Sequence, residues 1–196
     1  MAVWLGPGHV QEFYRGIPNC MVIDSRREDV KRRLVQSFSS DLIRFYYGDD
    51  LIGNEVGAAA KNVVGIAAGF LDGKGLSSLK GALMSRGTRE VARLIQAMGG
   101  SQLSAYGLCH LGDYEATVFS RYSHNRQFGE SFIRGETYTD LAEGYYTVEA
   151  LVLLGQRHGV ELPICQAVHR VLYCGADPMQ ELRALLDRNL TREFGE

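Results

Sequence analysis

Charge of one sign is not in excess in this 196-residue sequence: 21 Lys and Arg stand against 23 Asp and Glu, a net charge of −2. No Lys/Arg run stands out from mixed-sign neighbours, so the electrostatic footprint that nucleic acid requires is missing. A small molecule or another protein is the expected partner. The four cysteines, Cys20, Cys109, Cys165 and Cys174, show no CxxC spacing and nothing that calls for an oxidising compartment. They read as buried thiols. Cys109-His110-Asp113 mixes soft and hard ligands in one short segment without a second pair elsewhere, and no metal is expected. Long apolar runs are absent as well. The most apolar stretch, Val56 to Leu71, is broken by Lys61 and Asn62 and falls short of a bilayer span. Met1 to Leu5 meets Gly6-Pro7-Gly8 before an apolar signal core can form. A cytoplasmic protein without a membrane span is the expectation.

Two phosphate-binding signatures are lacking too. Gly73-Lys74-Gly75 has Ala68 where a phosphate loop needs its first glycine and Gly75 where it needs Ser or Thr. Lys74 therefore reads as a solvent lysine in a turn between helices. Gly6-x-Gly8 is followed by Gln11 where the dinucleotide fingerprint has its third glycine. No nucleotide cradle is encoded here.

What is present is a hydrophobic content of 45%, enough for one sizeable core, or a main domain with a small appendage. Over residues 1–50, Val3-Trp4-Leu5, Met21-Val22-Ile23 and Arg44 to Tyr47 read as strands bounded by Gly, Pro, Asn and Asp. Between the last two lies Arg27 to Phe38, whose apolar Val30, Leu34 and Phe38 recur every fourth residue, as on a helix. So small a strand-helix-strand unit normally belongs to a larger sheet.

Residues 51–196 change to helical periodicity. Val56, Ala60, Val63, Val64 and Ala67 share one face of a helix that Asn54 is expected to cap and Gly69 to help end. Leu79 to Met98 follows, with Leu83, Val91, Leu94 and Ile95 inward and Arg86, Arg89, Glu90 and Arg93 expected in solvent. Glu143 to His158 makes a further helix, Pro163 opens one to about Tyr173, and Pro178 opens Met179 to Arg188. The fold class is mainly α, an irregular helical bundle. Its polar, glycine-punctuated segment, Gly107 to Gly135, is where a site is expected.

Lys61 stands out because Gly57 to Ala60 are small and give a ligand access to its amine, which could pass a proton to or from a carbonyl or hydroxyl oxygen; the alternative is a snorkelling surface lysine. Asp113, Thr117, Ser123, Asn125 and Arg126 supply an acceptor, hydroxyls, an amide and a guanidinium, an inventory suited to a polyhydroxylated phosphate ester and also to an ordinary polar loop.

These segments resemble a known family. Gly57 to Gly69, with Lys61-Asn62 at its centre, is similar to the lysine-bearing helix of NAD(P)-dependent glycerol-3-phosphate dehydrogenases. Ser85-Arg86-Gly87, Gly107-Leu-Cys-His-Leu-Gly-Asp113, Thr117, Ser123, Asn125-Arg126-x-x-Gly129 and Ala142-Glu143-Gly144 follow in the family order. Pro163 to Tyr173 and Leu185 to Arg188 are similar too, and Gly6-Pro7, Glu12, Gly16-Ile-Pro18 and Val22-Ile23 resemble the final part of the family's nucleotide-binding domain. The resemblance implies a dehydrogenase C-terminal helical bundle over 51–196, preceded over 1–50 by a strand-helix-strand remnant of a Rossmann domain. It implies reversible hydride transfer between NAD or NADP and the C2 carbon of dihydroxyacetone phosphate or sn-glycerol 3-phosphate, with Lys61 as acid/base. Substrate contacts carried over by position are Gly6, Gly8, Asn62, Asp113, Thr117, Ser123, His124, Asn125 and Arg126. Cofactor contacts are Val10, His124, Leu141 and Glu143.

Two departures bear on specificity: His124 stands where the family usually has Arg, losing a bidentate phosphate fork, and Gly8 stands where it usually has Ser or Thr. The first half of the nucleotide-binding domain has no counterpart here, so this chain alone is expected to bind NAD(P) weakly, with the nucleotide-binding half supplied in cis or in trans. A homodimer is expected through apolar surface at the strands. The rival readings are a related hydroxyacid or sugar-acid dehydrogenase domain and a non-catalytic helical dimerisation module.

Overall fold

The computed structural model describes residues 1–189 and 192–193. Residues 190, 191 and 194–196 of the expected bundle lie outside the described residues. Strands β1 (Ala2–Leu5), β2 (Asn19–Ser25) and β3 (Ile43–Tyr47) form one sheet in the order β1-β2-β3. Helix α2 (Glu28–Phe38) carries the chain back so that β3 lies parallel to β2, with Val22 opposite Tyr46. Strand β1 is antiparallel to β2, with Trp4 opposite Ile23, and the return between them holds a single-turn helix, α1 (Val10–Phe13), which has no signature in the sequence pattern. The helices that follow are α3 (Leu51–Gly73), α4 (Lys80–Ala97), α5 (His124–Arg134), α6 (Glu143–His158), α7 (Pro163–Cys174) and α8 (Pro178–Leu186). This is the helical bundle with a small strand-helix-strand unit that the periodicities predict.

Helix α3 starts earlier and ends later than expected. Asp50, not Asn54, is its cap: Oδ1 accepts from the Gly53 amide at 3.1 Å, while Oδ2 accepts from the Ser101 amide and the Ser104 hydroxyl. Burial alone would raise the Asp50 carboxyl, but these hydrogen bonds outweigh it and hold the group below its ordinary value. Asn54 is buried in the first turn, where its Nδ2 donates to Oδ2 of Asp24 at 2.8 Å; the same oxygen accepts from the Asp50 amide at 3.0 Å. The end of β2 is thereby fastened to the start of α3.

Helix α3 is the axis of the bundle. Ala60, Val63 and Ile66 pack with Val91, Leu94 and Ile95 of α4, Val148 and Leu151 of α6, and Val168 and Val171 of α7. Gly69 does not end the helix; it brings α3 into backbone contact with α5, where a Cβ on Gly69 would lie 2.1 Å from the Arg126 carbonyl oxygen. Gly129 faces it reciprocally, 2.3 Å from the Ile66 oxygen if given a Cβ.

Other expectations are corrected. Glu90 is not a solvent residue: it is 2% exposed and accepts from the Ile164 and Cys165 amides at 2.8 and 3.0 Å, capping α7, and burial pushes its carboxyl up. Of the cysteines only Cys109 and Cys165 are buried; Cys20 is half-buried and Cys174 exposed, because α7 turns its last residue outward beside Gly175. The stretch before α5 is no open loop but a series of tight turns, 3₁₀ over Gln102–Tyr106 and Leu111–Asp113 and π over Glu115–Phe119, with His110, Tyr114 and Val118 fully buried. No helix among the described residues is long and apolar enough to cross a membrane.

Candidate functional site

Midway along α3, the Lys61 ammonium donates to Oδ2 of Asp113, which the turn Leu111–Asp113 delivers from 52 residues away. The lysine side chain keeps 22% of its surface in solvent and the aspartate 3%. Burial pushes the Asp113 carboxyl above its ordinary value, and the Lys61 charge works against that rise. A cation facing water and resting on a buried carboxylate can exchange a proton with a ligand without leaving its partner.

A buried frame holds this pair. Nδ1 of His110 lies 2.8 Å from the Gly57 carbonyl oxygen, one turn before Lys61, and Nε2 lies 2.7 Å from the Tyr114 hydroxyl. A carbonyl can only accept, so Nδ1 carries the proton and Nε2 accepts from Tyr114. Burial pushes the His110 imidazole down to about 4, which keeps it neutral. Thr88 of α4 touches the same hydroxyl at 3.4 Å. The turn bearing Asp113 is thus keyed to α3 and α4 by two side chains to which sequence reasoning gave no role. A histidine four residues before a tyrosine carries no signal of its own.

Beside the pair runs a second polar chain. Asn125 Nδ2 donates to Asn62 Oδ1 at 3.1 Å, Asn62 Nδ2 donates to Glu143 Oε2 at 3.0 Å, and the Gly144 amide donates to Asn125 Oδ1 at 2.8 Å. A Cβ on Gly144 would come within 2.6 Å of the Asn62 carbonyl oxygen, so α6 begins directly on the α3 backbone. The result is an open cleft of about 500 Å³ between Leu5-Gly6 at the end of β1, Ala58 and Lys61-Asn62 on α3, and Glu143 on α6. Trp4, Ala59 and Thr147 also line it, and none of them was a sequence candidate.

The remaining candidates divide. Asp113, Asn125 and Asn62 gather around Lys61 as described, and Thr117 is buried against Gly65 of α3. The Ser123 hydroxyl instead caps α5, accepting from the Arg126 amide at 3.3 Å. The Arg126 guanidinium is spent on structure, reaching Asp72 at 2.9 Å, Glu130 at 2.8 Å and the Ser120 carbonyl at 3.1 Å. His124 points outward with 59% of its side chain exposed, held by the Tyr138 hydroxyl at 2.8 Å with Asp140 at 4.0 Å. Val10 and Leu141 are exposed, 63% and 66%. Gly8 sits at φ 144°, and a Cβ there would fall 2.7 Å from the Phe13 ring, which accounts for a glycine where a hydroxyl residue was expected. The Cys109 thiol is pushed up to about 11 by burial, unsuited to serve as a thiolate ligand.

Residues 50–183 match the family described as NAD-dependent glycerol-3-phosphate dehydrogenase C-terminus. The chain belongs to this family. Its similarity to members of the family is high over nearly its whole length: glycerol-3-phosphate dehydrogenase (NAD(P)+) from Thermus thermophilus is 42% identical over 194 residues, covering 96% of this chain and 60% of that protein. The protein of the same name from Agrobacterium fabrum is 37% identical over 197 residues, covering 98% of this chain and 60% of its own length. This chain therefore spans 60% of the length of these curated relatives. The crystal structure of glycerol-3-phosphate dehydrogenase from Coxiella burnetii superposes with a TM-score of 0.90 at 33% identity, over 96% of this chain and 60% of that one. The Plasmodium falciparum enzyme shares the fold, with a TM-score of 0.83 at 15% identity over 97% of this chain and 58% of that one.

Proposed function

We propose that this chain is the substrate-binding part of a glycerol-3-phosphate dehydrogenase, interconverting sn-glycerol 3-phosphate and dihydroxyacetone phosphate, with residues 1–50 completing a nucleotide-binding domain and 51–196 forming the substrate and dimerisation domain. The observation that carries this reading is the Lys61–Asp113 pair, contributed by two distant segments, in which Lys61 lines the cleft and rests on the buried Asp113 carboxylate behind it. In the reducing direction the Lys61 ammonium donates a proton to the C2 oxygen, and in the oxidising direction its amine takes that proton back. Asp113 keeps the amine in place and accepts a hydrogen bond from a neighbouring hydroxyl. Asn125 orients Asn62 through its side-chain amide, and Thr117 backs the α3 face opposite Gly65.

The cleft residues fit a nicotinamide. Ala58 and Ala59 present nothing beyond Cβ to a flat ring, and Asn62 with Glu143 offers an amide and a carboxylate to its carboxamide. NAD or NADP, when bound, supplies or accepts the hydride. Val10, Leu141 and His124 are exposed, and by their positions in the family pattern they would meet a nucleotide-binding half supplied in cis or in trans. Trp4 and Phe38, 43% and 48% exposed with rings 5.3 Å apart, support association with that half or with a second copy.

The test joins the chain to a nucleotide-binding half and follows NAD(P)H oxidation. Dihydroxyacetone phosphate is expected to be reduced in preference to 2-keto acids, and Lys61→Ala is expected to lower kcat by about 100- to 10,000-fold while circular dichroism stays unchanged. Preference for 2-keto acids moves the assignment to a hydroxyacid dehydrogenase. Full turnover by the alanine variant removes the lysine from the chemistry.

A further inference from the structure

On α4, Ser85-Arg86-Gly87 takes no part in the cleft. Its glycine faces inward, where a Cβ would lie 3.4 Å from the Tyr114 hydroxyl. Ser85 and Arg86 line a second hollow of about 300 Å³, which shares no lining residue with the cleft. Arg89 lines it one turn further on, and the Tyr106 ring and Leu111 add apolar surface. Thr88, 1% exposed, also borders it and touches the Tyr114 hydroxyl at 3.4 Å. Positive charge crowds this face. Arg86, Arg89 and Arg93 recur at three- and four-residue spacing along α4, which sets like charges side by side and costs helix stability. Burial lowers the Arg93 guanidinium from its ordinary value, and the charges of Arg89, Arg86 and Arg188 push the same way against that of Glu90. The nearby carboxylates are committed, Glu90 to the Ile164 and Cys165 amides and Glu161 to Arg188 at 2.7 Å.

Within the hollow, Arg86 donates to a neutral acceptor, the Glu193 carbonyl oxygen, at 3.3 Å, and Arg89 reaches Gln102 Oε1 at 3.4 Å. Both contacts are long for a guanidinium, whose charge-assisted bonds to an oxyanion run to about 2.7–2.9 Å and are roughly twice as strong as neutral ones. We infer that Arg86 and Arg89 form a second ligand site, for a small molecule carrying a phosphate or carboxylate head on an apolar body. The head takes Arg86 from the Glu193 carbonyl, and the body lies on Tyr106 and Leu111, in a volume at the small end of ligand pockets. The site also reaches the reactive pair. Leu111 opens the turn Leu111–Asp113, so a ligand resting on it bears on the segment that brings Asp113 to Lys61. Occupancy firms that turn, and an effector bound here acts on the cleft without entering it. Nothing in this depends on what the cleft holds.

The experiment titrates the 196-residue chain with phenyl phosphate, phenylacetate and neutral benzyl alcohol by calorimetry, in the wild type, Arg86→Gln, Arg89→Gln and Glu193→Gln, with circular dichroism as the folding control. The single tryptophan, Trp4, lines the cleft, so its fluorescence reports a probe that goes there instead. Expected are binding of at least one anion, about tenfold or more weaker binding of benzyl alcohol, and a loss of about tenfold in anion affinity in either arginine variant. Glu193→Gln removes the acidic residue that lines the hollow and should raise anion affinity about twofold; its side chain is exposed, so it keeps the test open if an arginine variant loses its fold. With the anion bound, Trp4 emission should stay unchanged and hydrogen exchange should slow at the His110, Gly112 and Asp113 amides, which close the turn. Tighter binding of phenyl phosphate supports a phosphate ester as the ligand, and tighter binding of phenylacetate a carboxylate. Absence of binding by both anions, or wild-type affinity in both arginine variants, overturns the site. Binding that changes Trp4 emission and ignores the arginines places the anion in the cleft and overturns it too. Exchange at those amides unchanged by a bound anion overturns the link to Asp113.

Discussion

Acidifying the protein should expose the His110 frame. The imidazole falls from its ordinary 6.5 to about 4 because it is buried; the Gly57 hydrogen bond works the other way, and the nearby Lys61 charge adds to the depression. Between pH 6.5 and about 4 the unfolded chain binds a proton that the folded chain refuses, so stability falls as pH falls. Each pH unit is worth about 1.4 kcal/mol, so the loss approaches about 3 kcal/mol at the lower end of the window. Protonation at Nε2 also takes away the acceptor that the Tyr114 hydroxyl uses. Asp113 and Glu90, both raised, change stability in the opposite sense, and Asp50, Asp72 and Glu181, all lowered, lose their contribution near and below the ordinary carboxylate range. The comparison that isolates His110 is therefore wild type against His110→Phe, by urea unfolding at pH values from 7 down to 4.5. The variant is expected to be less stable by roughly 1–3 kcal/mol at pH 7, since the Tyr114 hydroxyl loses its acceptor and the Gly57 carbonyl the imidazole donor, and the gap should narrow steadily on acidification. Parallel curves would refute the buried neutral histidine.

Gly69→Ala should destabilise the fold by roughly 3 kcal/mol, since the added carbon meets the Arg126 carbonyl at 2.1 Å and α3 and α5 must separate; a thermal melt within a degree or so of wild type would contradict the backbone contact. Asp72→Asn leaves the buried Lys80 and half-buried Arg126 cations without their shared carboxylate and should cost about 3 kcal/mol at pH 7. Because these partners hold Asp72 below its ordinary 3.8 against the opposing effect of burial, the difference from wild type should shrink as pH drops through that value, which denaturation at acid pH reads directly. Glu90→Ala strips the Ile164 and Cys165 amides of their acceptor and should cost roughly 2 kcal/mol, with amide hydrogen exchange accelerated at the start of α7 before any other helix.

The parts legible in the sequence are those in which a residue's fate is decided by near neighbours. The apolar spacing of Val56 to Ala67 gives α3, Pro163 and Pro178 mark the starts of α7 and α8, and the β-branched and aromatic runs give the strands. What escaped is settled by distant partners. Asn54 had the chemistry of a cap, but Asp24, thirty residues upstream, claims it, leaving the cap to Asp50. Glu90 sat on a charged stripe, but α7 arrives with two orphan amides 74 and 75 residues later. The site shows the same division. Lys61 and Asp113 were singled out by their local chemistry and given roles by family resemblance, but their pairing across the fold is framed by His110, which no spacing rule announces. Arg126 looked like an anion ligand because its carboxylate partners, one of them on another helix, are invisible in one dimension.

The Asp24 junction has a mechanical consequence. The cleft is walled by β1 on one side and α3 on the other, and both walls start at the carboxylate that holds Asp50 and Asn54, since Ala2 and Val3 pair with Ser25 and Asp24 of β2. Two arms riveted at one end act as tongs: their gap is fixed near the rivet and adjustable only at the tips. Away from the rivet the gap lies between Gly6 at the end of β1 and Lys61 midway along α3, so a modest tilt of the three strands would leave the seam intact and still alter the grip on whatever is held beside the amine.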